Sequence, residues 1–130
     1  MNITVKKWMH KNIALAKNDE SAKTAANEMV NKKVGSLIVI DKEKKPIGIV
    51  TETDFVRKVV ASGVSSKMIQ IEDIMSTKMV SIESDKDITD ASEIMKNKNV
   101  KRLPVVENEK VVGIITSTDI VNAMAKLAED

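Results

Sequence analysis

Apolar residues recur at helical spacing in two stretches of the chain, residues 18–33 and 83–98, and this pattern predicts two amphipathic helices. Asn18 and Asp19 precede the first helix and are the candidates for its N-cap. The apolar positions are Ala22, Ala25, Ala26, Met29 and Val30 in the first stretch and Ile88, Ala91 and Met95 in the second.

Each helix is followed by two short runs rich in β-branched residues, and each pair of runs predicts a hairpin. The runs are "SLIVI" and "IGIVT" around one charged loop, and "RLPVV" and "VVGIIT" around another. Because proline cannot donate to a β-ladder, Pro104 is expected at an edge or a strand start. Strands near residues 12–15 and 78–82, before the first helices, complete the order β-α-β-β-α. Its last helices carry Phe55, Val56, Val59 and Val60 in one copy and Ile120, Val121, Met124 and Leu127 in the other.

The chain is one unit repeated. "GIVTETD" at residues 48–54 returns as "GIITSTD" at residues 113–119, an offset of 65, whereas upstream positions such as Val34 and Val100 match at an offset of 66. The extra residue of the first copy falls between the two hairpin runs, where a loop tolerates it. We divide the chain into residues 1–64 and 65–130. Since neither half buries enough surface alone, we expect both to pack about a pseudo-two-fold axis.

Composition excludes several classes of function. The chain has no cysteine and a single histidine, His10, so disulfides, thiolate catalysis and cysteine metal sites are excluded. His10 lies in a polar stretch and is expected to be an ordinary surface residue. We expect neither catalytic residues nor metal ligands. With 2% aromatic residues and a net charge of +2, nucleic-acid binding is unlikely.

No segment has the length and apolar character of a signal peptide or a membrane span, which favours a cytoplasmic protein. The 42% of hydrophobic and 31% of charged residues are typical of a soluble globular domain.

Two tandem repeats, each ending in Gly-apolar-apolar-Thr-x-x-Asp, resemble the CBS domain pair, or Bateman module. The likeness covers nearly the whole chain and rests on "VGSLIVID…IGIVTETD" and "VKRLPVVE…VVGIITSTD" with the helices before them. The resemblance implies an α/β protein of the α+β type, standing alone as two β-α-β-β-α repeats. It also implies a regulatory module that is not an enzyme, binds AMP, ADP, ATP or S-adenosylmethionine between its repeats, needs no other cofactor, and signals occupancy to an unknown effector protein.

Carrying the family's binding positions over implies two clefts, each formed by the Thr/Asp pair of one repeat and the strand starts of the other. The first cleft comprises Ile49, Thr51, Thr53 and Asp54 with Val80, Val100, Lys101, Arg102 and Pro104. The second comprises Ile114, Thr116, Thr118 and Asp119 with Ala14, Val34, Gly35, Ser36 and Ile38.

The chemistry of these groups suits a nucleotide. A carboxylate accepts hydrogen bonds from the two hydroxyls of a ribose, which assigns that task to Asp54 and Asp119. Thr51 and Thr116 lie where a strand passes into a helix, so their hydroxyls and the first helix N–H groups suit a phosphate. Because Lys101 and Arg102 are cationic, we expect phosphorylated ligands to prefer the cleft of Asp54.

Other interpretations stay open. "TETD" and "TSTD" also have the form of a helix capping box, which needs no ligand. One functional alternative is a metal-dependent phosphohydrolase using Asp54 or Asp119, and another is a nucleic-acid binder using the basic stretch Lys96 to Arg102. The last helix of each repeat is also expected to mediate a homodimer, as members of this family often dimerise through it.

Overall fold

A computed structural model describes residues 3–128. The first half contains α1 (Val5–Trp8), β1 (Ala14–Lys17), α2 (Ala22–Lys32), β2 (Ser36–Ile40), β3 (Pro46–Thr51) and a short α3 (Glu52–Asp54). A π-helical turn (Phe55–Val59) and three 3-10 turns (Val60–Ser62, Ser66–Met68 and Ile71–Asp73) follow. The second half contains β4 (Ile82–Glu83), α4 (Ile88–Lys98), β5 (Arg102–Glu107), β6 (Lys110–Thr116) and α5 (Ser117–Ala128). The expected β-α-β-β-α order is confirmed in both copies.

The two long helices begin at side-chain caps. Ser21 caps α2 by accepting a hydrogen bond from the Thr24 N–H at 3.1 Å, so the expectation of Asn18 or Asp19 as the cap is wrong. Asp87 caps α4 in the same way. Ser21 immediately precedes the first helical residue, Ala22, so its side chain reaches the free N–H groups of the first turn. Asn18 and Asp19 lie four and three positions before Ala22 and are less well placed.

Each half forms a three-stranded sheet in which a parallel pair adjoins an antiparallel hairpin. The strand orders are β1-β2-β3 and β4-β5-β6. The hairpin loops explain the change of offset, because five residues lie between the paired Ile40 and Pro46 and four lie between the matching pair Val106 and Val111. Two of those four residues extend β5 and β6, so the second loop itself has two residues. Asn108 and Glu109 both have positive φ, the conformation of a tight two-residue hairpin turn.

Pro104 lies in the middle strand of its sheet, third from the start of β5, so the expectation of an edge strand is wrong. The short strand β4 pairs only with Val105 and Val106, so Pro104 lies just outside that ladder. The sheet therefore tolerates a proline that has no N–H to donate.

The compact units of the structure do not coincide with the two sequence repeats. One unit, called here the first unit, is Asn12–Met79, and the second unit combines the chain up to Lys11 with the chain from Val80 onward. The opening helical turn of each repeat thus packs on the unit formed mainly by the other repeat. These opening turns are α1 and the 3-10 turn Ile71–Asp73.

Each unit has its own apolar core between its sheet and its helices. Buried members include Ala25, Leu37 and Val50 in the first unit and Leu103 and Ile115 in the second. Most of the predicted helical stripe is buried in these cores, but Ala26 is half-buried and Val30 is 74% exposed. Within residues 3–128, no helix combines the length and apolar character needed to cross a membrane.

Candidate functional site

The Thr51/Asp54 pair joins the end of β3 to α3. The Thr51 N–H and hydroxyl donate to Asp54 Oδ2 at 2.8 and 3.3 Å, and the two residues form a reciprocal capping box. The Asp54 carboxylate is thus held against Thr51, the last residue of β3. The capping interpretation of "TETD" is confirmed.

Thr116 and Asp119 repeat this arrangement between β6 and α5. The Thr116 N–H and hydroxyl donate to Asp119 Oδ2 at 2.8 and 3.0 Å, and the Asp119 N–H donates to the Thr116 hydroxyl at 3.4 Å. In both pairs, Oδ2 is engaged by the cap, and Oδ1 is the oxygen left for another partner.

The partner of Oδ1 differs between the two pairs. Lys58 Nζ lies 3.1 Å from Asp54 Oδ1 and also donates to the Ile74 carbonyl at 3.0 Å. His10 Nε2 lies 2.6 Å from Asp119 Oδ1. The interpretation of His10 as an ordinary surface residue is therefore wrong: its ring is 59% exposed, but its edge is bonded to a carboxylate that is only 4% exposed.

Sequence reasoning missed both partners of Oδ1, and only the lysine has a direct signal in the sequence. Lys58 follows Asp54 by four positions, the spacing at which an acid and a base meet on a helix. His10 corresponds to Ser76 at the offset of 66. His10 forms an isolated bridge with Ile114 just as Ser76 does with Ile49. Only that bridge brings the ring to Asp119, and the sequence gives no direct indication of it.

The first N–H of each following helix is already bonded. The Glu52 N–H donates to the Gly35 carbonyl at 3.3 Å, and the Ser117 N–H donates to the Lys101 carbonyl at 2.9 Å. These two N–H groups are therefore not free for a phosphate, contrary to the expectation from the sequence. On the same turns, the side chains of Thr53 and Thr118 are exposed.

The helices after the two pairs differ by a π-helical turn. In the second unit, the buried residue of the turn after Asp119 is Ala123, four positions on. In the first unit it is Val59, five positions after Asp54, because the π turn contains one more residue. Lys58 is consequently outside the core, with 48% of its side chain exposed, and is free to reach Asp54.

The other predicted cleft residues lie in the strands, in the segments just before them or in the first turn of the helix that follows them. In register, Ser36 lies opposite Thr51 and Arg102 opposite Thr116, so each strand start adjoins the threonine of its own unit. The pairing across repeats that the two clefts require stays a prediction. Ala14, Ile38, Pro104 and Ile114 are buried, Gly35 and Lys101 are exposed, and Val34, Ser36, Ile49, Val80, Val100 and Arg102 are half-buried.

Two carboxyl groups outside the pairs have lowered pKa values. Hydrogen bonds from the backbone and side chain of Thr89 lower the pKa of Asp87, and a hydrogen bond from the Ser84 hydroxyl lowers that of Glu107. Among the described residues, no three His, Asp or Glu side chains are grouped so that they could hold a metal ion.

A sequence model described as "CBS domain" matches residues 5–61 and again residues 71–126. The chain belongs to the CBS domain family. A relative from Methanopyrus kandleri is 32% identical over 120 residues, covering 92% of this chain and 61% of the relative. Two further relatives are matched over 53% and 60% of their lengths, so this chain spans less than two thirds of such proteins.

Solved structures of CBS proteins share the fold. The CBS domain pair of protein MJ0100, crystallised with 5-methylthioadenosine and S-adenosyl-L-methionine, superposes with a TM-score of 0.80 at 26% identity and covers 97% of this chain and 98% of that one. A hexameric CBS-CP12 protein from bloom-forming cyanobacteria superposes with a TM-score of 0.80 at 30% identity, covering 93% of this chain and 67% of that one.

Proposed function

We propose that this chain is a regulatory module that binds an adenosine-containing ligand, AMP, ADP, ATP or S-adenosylmethionine, and signals its occupancy to a partner protein. The observation that carries the proposal is the duplicated Thr/Asp pair, which presents a carboxylate oxygen at the same place in both CBS repeats. The complex of the related MJ0100 pair with two adenosyl compounds supports the class of ligand.

The chemistry of the carboxylate supports ribose as the group that is recognised. An ionised carboxylate accepts about four hydrogen bonds, and the ribose diol of an adenosine offers two donors. Asp54 Oδ2 receives two bonds from Thr51, and the partner of Oδ1 is the side chain of Lys58. The Asp54 side chain is 16% exposed and that of Asp119 is 4% exposed. We therefore assign the stronger site to Asp54.

A thermal-shift panel of AMP, ADP, ATP, S-adenosylmethionine and NAD tests the proposal. A ligand bound only by the folded protein at about 100 times its Kd adds about 2.7 kcal/mol, which for a chain of this length raises the Tm by on the order of 5–10 °C. AMP should act more strongly than 2′-deoxy-AMP, which lacks one donor. No shift with any ligand, or magnesium-dependent release of phosphate from ATP, would contradict the proposal.

The assignment to Asp54 predicts unequal effects of two matched substitutions. Asp54→Asn should weaken the tighter AMP binding by at least about tenfold, because a hydrogen bond to a charged acceptor is lost. Asp119→Asn should leave that binding within about threefold. Calorimetric titration of both variants measures this, and equal losses would show that the two sites are equivalent.

We also propose that the protein forms a homodimer through the helices that end each repeat. Large apolar side chains are exposed there: Val56 is 63% exposed, Val121 is 64% exposed and Met124 is 62% exposed. Val30 and Val56 line an open groove of about 550 Å³ between α2 and the π turn. The hexameric CBS-CP12 relative supports self-association in this family.

A further inference from the structure

His10 is held in place by the backbone on which it lies. Its N–H donates to the Ile114 carbonyl at 2.8 Å, and its carbonyl accepts from the Ile114 N–H at 3.0 Å. The neighbouring Gly113 has no room for a side chain, because an added Cβ would lie 2.7 Å from both the His10 carbonyl oxygen and Met9 Sδ. The segment Met9–His10 is thus fitted closely to β6, and this fixes the imidazole beside Asp119.

The first unit has the same backbone arrangement without the imidazole. Ser76 exchanges hydrogen bonds of 3.0 and 2.9 Å with Ile49, and an added Cβ at Gly48 would lie 2.5 Å from Met75 Sδ. Since a serine side chain has no imidazole, the partner of Asp54 Oδ1 is Lys58, four positions later in the chain. Asp119 has no corresponding lysine, because the residue of the second unit that matches Lys58 is the fully buried Ala123.

Lys58 and His10 differ in how firmly they hold the carboxylate oxygen Oδ1. Lys58 reaches Asp54 with a flexible, half-exposed chain, whose ammonium is readily exchanged for water or another donor. His10 is anchored by two backbone hydrogen bonds, and Nε2 donates to Asp119 Oδ1 at a short 2.6 Å. Together with the three contacts of the cap, this contact leaves Asp119 4% exposed.

We propose that His10 is an internal competitor for the ligand at Asp119, because the imidazole and a ribose hydroxyl use the same oxygen, Oδ1. This inference rests on the proposed function, in which the Thr/Asp pairs bind ribose hydroxyls. The Asp119 site then binds its ligand only when the ring turns away, and the identity of residue 10 sets the difference in affinity between the two sites.

Calorimetric titration with AMP in an Asp54→Asn background isolates the second site. Adding His10→Ala to Asp54→Asn should tighten the binding of AMP by at least about tenfold, the order of change that follows when a hydrogen bond to a charged group no longer competes. Unchanged or weaker binding in the double variant overturns the inference. Urea unfolding checks that His10→Ala, at a half-exposed position, leaves the protein folded.

The reverse graft supplies a matched test in the first unit. Ser76→His in a Lys58→Ala background places an imidazole where His10 lies relative to Asp119. This double variant should bind AMP at Asp54 at least about tenfold more weakly than Lys58→Ala alone. Equal affinities of the two variants contradict competition by the imidazole.

The only histidine of the chain gives a readout that needs no mutation of the competitor. In Asp54→Asn protein, saturation with AMP should move the imidazole NMR signals of His10 toward those of Asp119→Ala protein, in which the acceptor of the contact is removed. AMP bound at Asp119 with unmoved signals overturns the inference and leaves the proposed function intact. If neither the wild type nor His10→Ala protein binds any ligand of the panel, the proposed function fails, and this inference fails with it.

Discussion

Gly48 and Gly113 are packed so closely against neighbouring atoms that a Cβ at either position would clash. At Gly113 an added methyl would meet the His10 carbonyl at 2.7 Å, and backbone cannot swing away. At Gly48 the nearest atoms belong to the flexible Met75, and the closest backbone atom, the Ser76 carbonyl oxygen, lies at 3.1 Å. The glycine of the motif should therefore tolerate an added methyl group better in the first repeat than in the second.

We expect Gly113→Ala to cost about 1–3 kcal/mol of unfolding free energy, as overpacking against rigid atoms does, and Gly48→Ala to cost less. Gly35→Ala is the control, because its added methyl would meet only the end of the Glu52 side chain. Urea unfolding of the three variants measures the order. A cost at Gly48 equal to that at Gly113 would show that the thioether is as rigid as the backbone.

At the residue scale, the sequence predicts the Thr/Asp pairs but not their partners. Spacing alone identifies Thr51 with Asp54 and Thr116 with Asp119, because a capping box is local. The contact of His10 with Asp119 joins residues 109 positions apart and depends on a bridge that no local pattern indicates. The sequence therefore predicts the capped carboxylates and misses the side chains that bond to them.

At the scale of elements, Asp87 connects the start of α4 to the beginning of the chain. It accepts from the Thr89 N–H at 2.9 Å and hydroxyl at 2.8 Å, and from the Ile3 N–H at 3.2 Å. The hydrogen bonds that Thr89 donates hold the pKa of Asp87 below its ordinary value of 3.8, and the bond from the backbone N–H has the larger effect. Its counterpart Ser21 caps α2 with a group that does not titrate.

Asp87→Ser should therefore remove a part of the acid sensitivity of folding. A carboxyl group with a lowered folded pKa contributes stability that is fully present above its unfolded pKa and is lost as the pH falls through its folded pKa. Wild type should exceed Asp87→Ser in unfolding free energy at about pH 7, and the difference should vanish at about pH 2. Urea unfolding across this range measures it. Ser21→Ala is the control, with a cost independent of pH, and a constant difference for Asp87→Ser would contradict the assignment.

The π turn is a second feature of the element scale, and the sequence did not reveal it. Phe55, Val56, Val59 and Val60 fit ordinary helical spacing, so nothing in the pattern indicates an extra residue in the turn. Deleting the exposed Arg57 should restore an α turn with Val59 four positions after Asp54, as Ala123 is after Asp119.

We expect the deletion of Arg57 to change the unfolding free energy by less than about 1 kcal/mol, since it removes an exposed side chain and alters only the spacing of the half-exposed Lys58 from Asp54. Deleting the matching exposed Asn122 should cost about 1–3 kcal/mol, because it replaces the buried Ala123 by Met124. Chemical denaturation compares the two deletions. Equal costs would mean that the π turn is required for stability.

At the scale of the whole molecule, the repeat predicts the elements but not how they are shared. Periodicity gave the two β-α-β-β-α copies and the site of the extra loop residue. The exchange of opening segments, in which Met75 packs on Gly48 and Met9 on Gly113, involves contacts distant in sequence. A pattern read along the chain cannot distinguish it from packing of each segment on its own repeat.

The proposed homodimer also belongs to the scale of the whole molecule. The substitution Val56→Glu should weaken it. In a two-fold symmetric interface each residue occurs twice, and burying one valine contributes about 1.5 kcal/mol, so the loss is about 3 kcal/mol before any cost of the buried charge. The dimer Kd should therefore rise by about 100-fold or more. Sedimentation at about tens of micromolar should show a shift toward monomer. Val64→Glu is the control, because Val64 is 51% exposed but lies in the segment between the repeats. If both variants sediment as the wild type does, or if the wild type is already monomeric, the apolar helix faces are not a dimer interface.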